Sequence, residues 1–282
     1  MRFISTGSSQ RATSLFALLL GGSGVLGGCK DAASVPPQPT LGQQAPKTAA
    51  TVGTLRRPIA ATTSPDGKTL FVTALDMNGQ GQILSGALNG TLTPLSTGVT
   101  LSYPCAIAMS SDGTTLLVAD LGDAGAAGAT GAVYRGSATG NLSALTQGTP
   151  EYPTGVALSL DDKTAYITGS DSTNGKPGLW SMAVAGGAVT PIFSGAPLSY
   201  PAGVVVANDG SVYVADAASF GGSRGAIYRI QNGRPLQINK TPLRLHFPAG
   251  LAAAGSGYPD LLFTSATALG TEPYLYLLSP DG

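Results

Sequence analysis

Charge is scarce in this sequence: Asp, Glu, Lys and Arg make up 11% of its 282 residues, with 15 basic against 15 acidic side chains. Apart from Arg56-Arg57 the lysines and arginines stand singly. Such a chain has no cationic stripe with which to displace counterions from a phosphate backbone, so no nucleic acid partner is expected. Glutamate occurs only as Glu151 and Glu272, and histidine only as His246. That leaves little material for an acid–base pair, a Ser-His-Asp arrangement or a histidine-rich metal centre. Cys29 and Cys105 are the only cysteines, which excludes a disulfide framework and a cysteine zinc set. Catalytic residues, metal ligands and cofactors are accordingly all read as none.

Two motifs match by letter and fail by context. Gly221-Gly222-Ser223-Arg224-Gly225 has the Gly-x-Ser-x-Gly form, but it falls in a predicted strand-to-strand loop rather than at a strand-to-helix elbow. Gly22-Ser23-Gly24-Val25-Leu26-Gly27 has the spacing of a dinucleotide fingerprint, yet no strand precedes it.

The long apolar runs of a membrane-spanning chain are missing too. The one apolar segment near the start, Leu15-Phe16-Ala17-Leu18-Leu19-Leu20, is short and followed by Gly21, Gly22 and Gly24. With Arg2 and Arg11 ahead of it and small residues behind, it reads as an export signal over residues 1–28. The segment Leu26-Gly27-Gly28-Cys29 resembles the lipobox of bacterial lipoproteins. That resemblance implies that Cys29 is acylated and becomes the new N-terminus, held on a lipid bilayer. Cleavage there removes two arginines and leaves 13 basic against 15 acidic side chains. Residues 29–48, with Pro36-Pro37-Gln38-Pro39 and Gly42-Gln43-Gln44, read as a tether to the folded part. Lys30 is not the aspartate that retains enteric lipoproteins at the inner membrane, so the expected location is the bacterial cell envelope, at the outer rather than the inner membrane.

Glycine (40) and proline (20) are plentiful, and 43% of residues are hydrophobic, a composition suited to a turn-rich, all-β core. Five proline-anchored segments recur: Arg57-Pro58-Ile59-Ala60, Tyr103-Pro104-Cys105-Ala106, Tyr152-Pro153-Thr154-Gly155, Tyr200-Pro201-Ala202-Gly203 and Phe247-Pro248-Ala249-Gly250. Their prolines are 46, 49, 48 and 47 residues apart, the period of a four-stranded propeller blade. Each unit runs from the proline into a strand, through a turn such as Asp66-Gly67, Asp112-Gly113 or Asp209-Gly210, and into a second strand. Repeat three has Asp161-Asp162 at that turn, and repeat five Gly255-Ser256-Gly257. Repeat five ends after its third strand, Tyr274-Leu275-Tyr276-Leu277-Leu278, while Thr51-Val52-Gly53-Thr54-Leu55 precedes the first repeat. The prediction is an all-β propeller over residues 49–282, with five four-stranded blades, closed by that N-terminal strand so that no sheet edge stays open.

The pattern Pro-x-Gly-Val, Asp-Gly, Val-Tyr-Val-Ala-Asp, seen best over residues 201–216, resembles the NHL repeat and, more widely, the senescence-marker/gluconolactonase propellers. Those families usually have six blades. The second resemblance implies an alternative function, a metal-dependent lactonase or esterase-like hydrolase, with carboxylate and asparagine ligands around the channel. The inner-strand starts here, Ile59, Cys105, Thr154, Ala202 and Ala249, offer only the Thr154 hydroxyl as a hard oxygen. The leading expectation is therefore a non-enzymatic binding or protein-interaction scaffold.

In a blade, the loop between the second and third strands and the junction to the next blade emerge on one face. That face gathers Tyr103, Tyr152, Tyr200 and Phe247, with Arg57 in the fifth place and Arg224 in a nearby loop. The rings either stack on a protein or small-molecule ligand, or pack between blades, which is the simpler reading. Asp120 and Asp216 close second strands and either face a ligand or cap the turns that follow. Cys105, in a predicted core strand, is read as a buried hydrophobe rather than a nucleophile.

Overall fold

The computed structural model describes residues 2–5 and 57–278, apart from residues 89, 123–130, 147–149, 223, 246, 248, 254–260 and 266–273. Cys29, the tether, Thr51–Leu55, His246, Glu272 and the Gly125–Ala129 loop lie outside the described residues. Every regular element is a strand. The first sheet is β2 (Arg57–Thr63), β3 (Thr69–Leu75), β4 (Gly81–Ala87) and β5 (Thr93–Pro94); the second is β6 (Pro104–Met109), β7 (Leu116–Asp120), β8 (Ala132–Ser137) and β9 (Gly140–Ala144). The third is β10 (Gly155–Leu158), β11 (Thr164–Ser170), β12 (Pro177–Ala183) and β13 (Thr190–Ser194). The fourth is β14 (Pro201–Val206), β15 (Val212–Asp216), β16 (Arg224–Gln231) and β17 (Arg234–Gln237), with β18 (Leu243–Arg244) also on β16. The fifth joins β19 (Ala249–Ala253), β20 (Leu261–Ser265) and β21 (Tyr274–Leu278) to β1 (Arg2–Ser5). This is the expected all-β propeller, in four sheets of consecutive strands and a fifth completed from the N-terminus.

The first two strands of each blade are joined by a turn whose chemistry repeats. In the first three blades a serine hydroxyl (Ser64, Ser110, Ser159) donates to an aspartate two residues on (Asp66, Asp112, Asp161) and accepts the backbone N–H of Thr69, Thr115 or Thr164. Such side-chain bonds fix the hairpin locally. The following position is left-handed, with φ of +67° at Gly67, +73° at Gly113 and +81° at Gly210. Blade 3 puts Asp162 there at φ +57°, and its carboxylate accepts both the N–H and the hydroxyl of Ser111 from the neighbouring blade's turn.

The proline segments form the inner strands. The register of first against second strand shifts just after the proline in blades 1, 2 and 4, between Pro58 and Ala60, Pro104 and Ala106, and Pro201 and Gly203. A bulge of this kind bends the strand where the ring is narrowest. Glycine is required there by contact: a Cβ on Gly203 would lie 2.3 Å from the Ala249 carbonyl oxygen of the next blade.

Between blades lie dry cores. Phe71, Ile83, Leu101, Leu116 and Val118 join blades 1 and 2; Leu117, Val133, Val156, Ile167 and Met182 join 2 and 3. Leu179, Val204, Val214 and Tyr228 join 3 and 4, and Tyr213, Ile227, Leu243, Tyr276 and Leu278 join 4 and 5. Blade 1 keeps a second buried cluster, Val72, Ala74, Leu84 and Leu92, on its other face. Since a single sheet cannot bury both faces alone, these clusters are what makes the repeat cooperative.

The closing strand corrects an expectation. The outer place in the last sheet was expected for Thr51–Leu55; it is held instead by Arg2–Ser5, parallel to Tyr274–Leu277. The edge of β21 offers unpaired backbone groups, and the β-prone Phe3-Ile4 stretch is able to satisfy them.

Candidate functional site

The five inner strands surround a central cavity of about 510 Å³. Its wall is built from Ile59, Ala60, Ala106, Ile107, Val156, Gly203, Val204, Gly250 and Leu251 among others, and Arg57 is its one ionisable side chain apart from the Cys105 thiol. Small side chains follow from the ring geometry, since backbones of neighbouring blades approach too closely for larger ones.

Four of the five pre-proline residues meet at one mouth of this cavity. The rings of Tyr103 (blade 2) and Phe247 (blade 5) stack with centroids 6.0 Å apart, and Tyr200 (blade 4) meets Phe247 edge-on at 5.4 Å. The Arg57 guanidinium of blade 1 lies 5.5 Å from the centre of the Tyr103 ring, a cation–π geometry. Blades 2 and 5 are not neighbours in the chain, so the cluster spans the mouth rather than filling one seam. The sequence reading placed these rings either on a ligand or between adjacent blades; here they pack on one another across the opening. Tyr200 remains 39% exposed, so the cluster still presents a ring to solvent. Desolvation pushes the Tyr103 and Tyr200 phenols above the usual tyrosine range, while Arg57 works against that shift at Tyr103. Tyr152 is half-buried and joins no described ring pair.

Asp120 and Asp216 stand beneath this cluster. Both are buried. Asp120 accepts the backbone N–H of Ser102, Tyr103 and Gly122, at 2.8 Å each. Asp216 accepts those of Ser199 and Tyr200 at 2.7 and 2.9 Å, that of Ala218, and the Ser219 hydroxyl. Their oxygens are spent on the chain, so the geometry assigns them to holding the junctions that carry Tyr103 and Tyr200 rather than to facing a ligand. Sequence reasoning missed this link, although blades 2 and 4 alone pair a pre-proline tyrosine with an aspartate ending the second strand. Asp76 and Asp171, two residues further along in their blades, cap only their own loops.

Cys105 and Thr154, each just after its proline, tie blade to blade. The Cys105 thiol donates to the Pro153 carbonyl at 3.2 Å, and the Thr154 hydroxyl to the Pro201 carbonyl. Burial pushes the Cys105 thiol well above the ordinary range, the condition of an inert cysteine. The metal that the gluconolactonase resemblance would bring finds no oxygen cage at these positions, because Thr154 is engaged and its counterparts are Ile59, Cys105, Ala202 and Ala249. Among the described residues, no three His, Cys, Asp or Glu side chains gather.

The same face carries Arg224, exposed at the start of β16 and opposite Arg244 in the bridge to β18. Exposed Met77 and Phe220 lie in its loops. The other end of the ring differs: the described ion pairs, Lys68–Asp66, Lys163–Asp161 and Arg229–Asp209, all involve the first-to-second-strand turns. A wider depression of about 770 Å³ lies between blades 2 and 3. Its charged groups are committed, since Arg135 donates to the Val184 carbonyl, Asp162 holds Ser111 and Lys163 faces Asp161.

These features define a β-propeller with an aromatic–arginine mouth, and solved structures bear out the fold. A protein described as TolB from Agrobacterium tumefaciens superposes with a TM-score of 0.60 at 22% identity, over 80% of this chain and 78% of that one. TolB from Acinetobacter baumannii gives 0.56 at 16% identity over 80% of this chain and 52% of its own, and a chain of the Nidogen/Laminin complex gives 0.55 at 14% over 80% and 86%. No protein-family model matches the chain, and no curated protein matches it in sequence.

Proposed function

We propose that the protein is an exported, lipid-anchored propeller of the bacterial envelope that captures a protein partner on its loop face as a non-enzymatic scaffold. The observation that carries this reading is the Arg57–Tyr103–Phe247–Tyr200 cluster, which spans the channel mouth while leaving Tyr200 and Arg57 open to solvent. Exposed Phe220 and Met77 extend the same face. Aromatic, methionine and arginine side chains on a rigid frame are the composition enriched at protein interfaces. The lipobox-like Leu26-Gly27-Gly28-Cys29 supports the anchor.

A photo-crosslinking residue at Phe220, compared with one at Leu236 on the outer strand of blade 4, tests the face in living cells. A discrete adduct from position 220 and none from 236 is expected, and the reverse pattern refutes the assignment. Labelled palmitate is expected to be incorporated by the wild-type chain and not by Cys29→Ser; equal labelling of the two, or none in either, counts against the anchor.

A further inference from the structure

We infer that the mouth of the channel receives an acidic peptide segment of the partner, with a carboxylate on Arg57 and a neighbouring apolar side chain against the Tyr200 and Phe247 rings. The inference rests on the loop face being the docking surface and adds the chemistry of what docks there. Arg57 is exposed, and its guanidinium is held over Tyr103 rather than by a carboxylate; it forms no ion pair among the described residues. A guanidinium stacked on a ring keeps its in-plane N–H fork, the geometry that binds a carboxylate through two bonds.

Among the described residues, the competing anions on this face are engaged. Asp120 and Asp216 are buried on backbone N–H groups, and Asp76 and Asp171 cap their own loops. Glu151 is the half-buried exception. The exposed cations Arg57, Lys176, Arg224 and Lys240 therefore meet a partner first, whereas at the opposite end Lys68, Lys163 and Arg229 each face an aspartate. An apolar residue beside the carboxylate finds the Tyr200 and Phe247 rings, above a cavity of about 510 Å³ with aliphatic walls. A basic partner would place like charge on Arg57, and a purely apolar one would leave the guanidinium unmatched under the interface.

Selection of phage-displayed random peptides on the full chain held in mild detergent tests this directly. Peptides with Asp or Glu next to an aromatic or branched aliphatic residue are expected to be enriched. Their affinity is expected to fall about tenfold or more with Arg57→Gln, further with Arg57→Glu, and with rising salt. Emission from Trp180, the one tryptophan and only 1% exposed, reports whether each variant has kept its fold. Enriched peptides without acidic residues, or acidic peptides indifferent to Arg57, overturn this inference. If those same peptides lose binding with Tyr200→Ala, the loop-face reading survives alone; if no peptide depends on Tyr200 or Phe220, both readings fall.

Discussion

A carboxylate that accepts two consecutive backbone N–H groups fixes the chain there more firmly than packing alone, and Asp216 does this at Ser199 and Tyr200. Replacing it by alanine removes the acceptor of three part-buried backbone donors and a hydroxyl, and we expect Asp216→Ala to cost about 1–3 kcal/mol. In urea unfolding followed by Trp180 emission, the midpoint should fall with Asp216→Ala and fall much less with Asp76→Ala, whose carboxylate serves only an exposed loop. At Cys105 the thiol is buried and bonded to the Pro153 carbonyl, and burial holds its pKa high. Alkylation by iodoacetamide at neutral pH should therefore be negligible in the folded chain and rapid after denaturation, as mass spectrometry would show. The burial of Cys105 was legible in the sequence, because it follows a repeat proline at the head of an inner strand. The role of Asp216 was not, because its partners lie 16 and 17 residues away and only the closed blade brings them together.

At the scale of the strand, the inner segments alternate between a bulge and a close approach. Gly203→Ala puts a Cβ at 2.3 Å from the Ala249 carbonyl oxygen, backbone that cannot swing aside. The substitution should cost about 1–3 kcal/mol through overpacking, whereas Gly210→Asn, at φ +81° with open space around it, should cost well under half as much. Comparing the two by thermal unfolding separates crowding at the channel from turn strain. The Pro-x-Gly spacing announced these strands, and Asp-Gly pairs announced the turns. Asp161-Asp162 looked like an interruption of that pattern. It keeps the left-handed turn because Asp162 gains two bonds from Ser111 of the preceding blade, a compensation invisible to local spacing.

For the whole molecule, the repeat period made the propeller legible, since five similar units of about 48 residues have few other ways to bury both sheet faces. Closure by an N-terminal strand was legible too; which segment supplies it was not, because the edge of β21 accepts any short extended segment. Arg2–Ser5 holds it; once the leader is removed we expect Thr51–Leu55 to take that place, so the amides of Tyr274–Leu278 should stay protected from hydrogen exchange, and rapid exchange there would contradict this. Alkaline pH probes the ring in another way. Desolvation raises the pKa of Tyr103, Tyr134, Tyr200 and Tyr228 above the ordinary tyrosine range. The folded chain then holds these protons more tightly than the unfolded one. Their contribution is complete below about pH 10 and declines as pH rises through the folded values, so urea midpoints should be level across neutral pH and fall above 10. The account's central claim is that one face of this ring is built to bind. Hydrogen exchange on the full chain, with and without a captured partner, tests it most directly. Protection of backbone amides at 59–60, 102–103, 199–200 and 217–221 is the predicted result; protection confined to the outer strands β5, β9, β13 and β17 would contradict it.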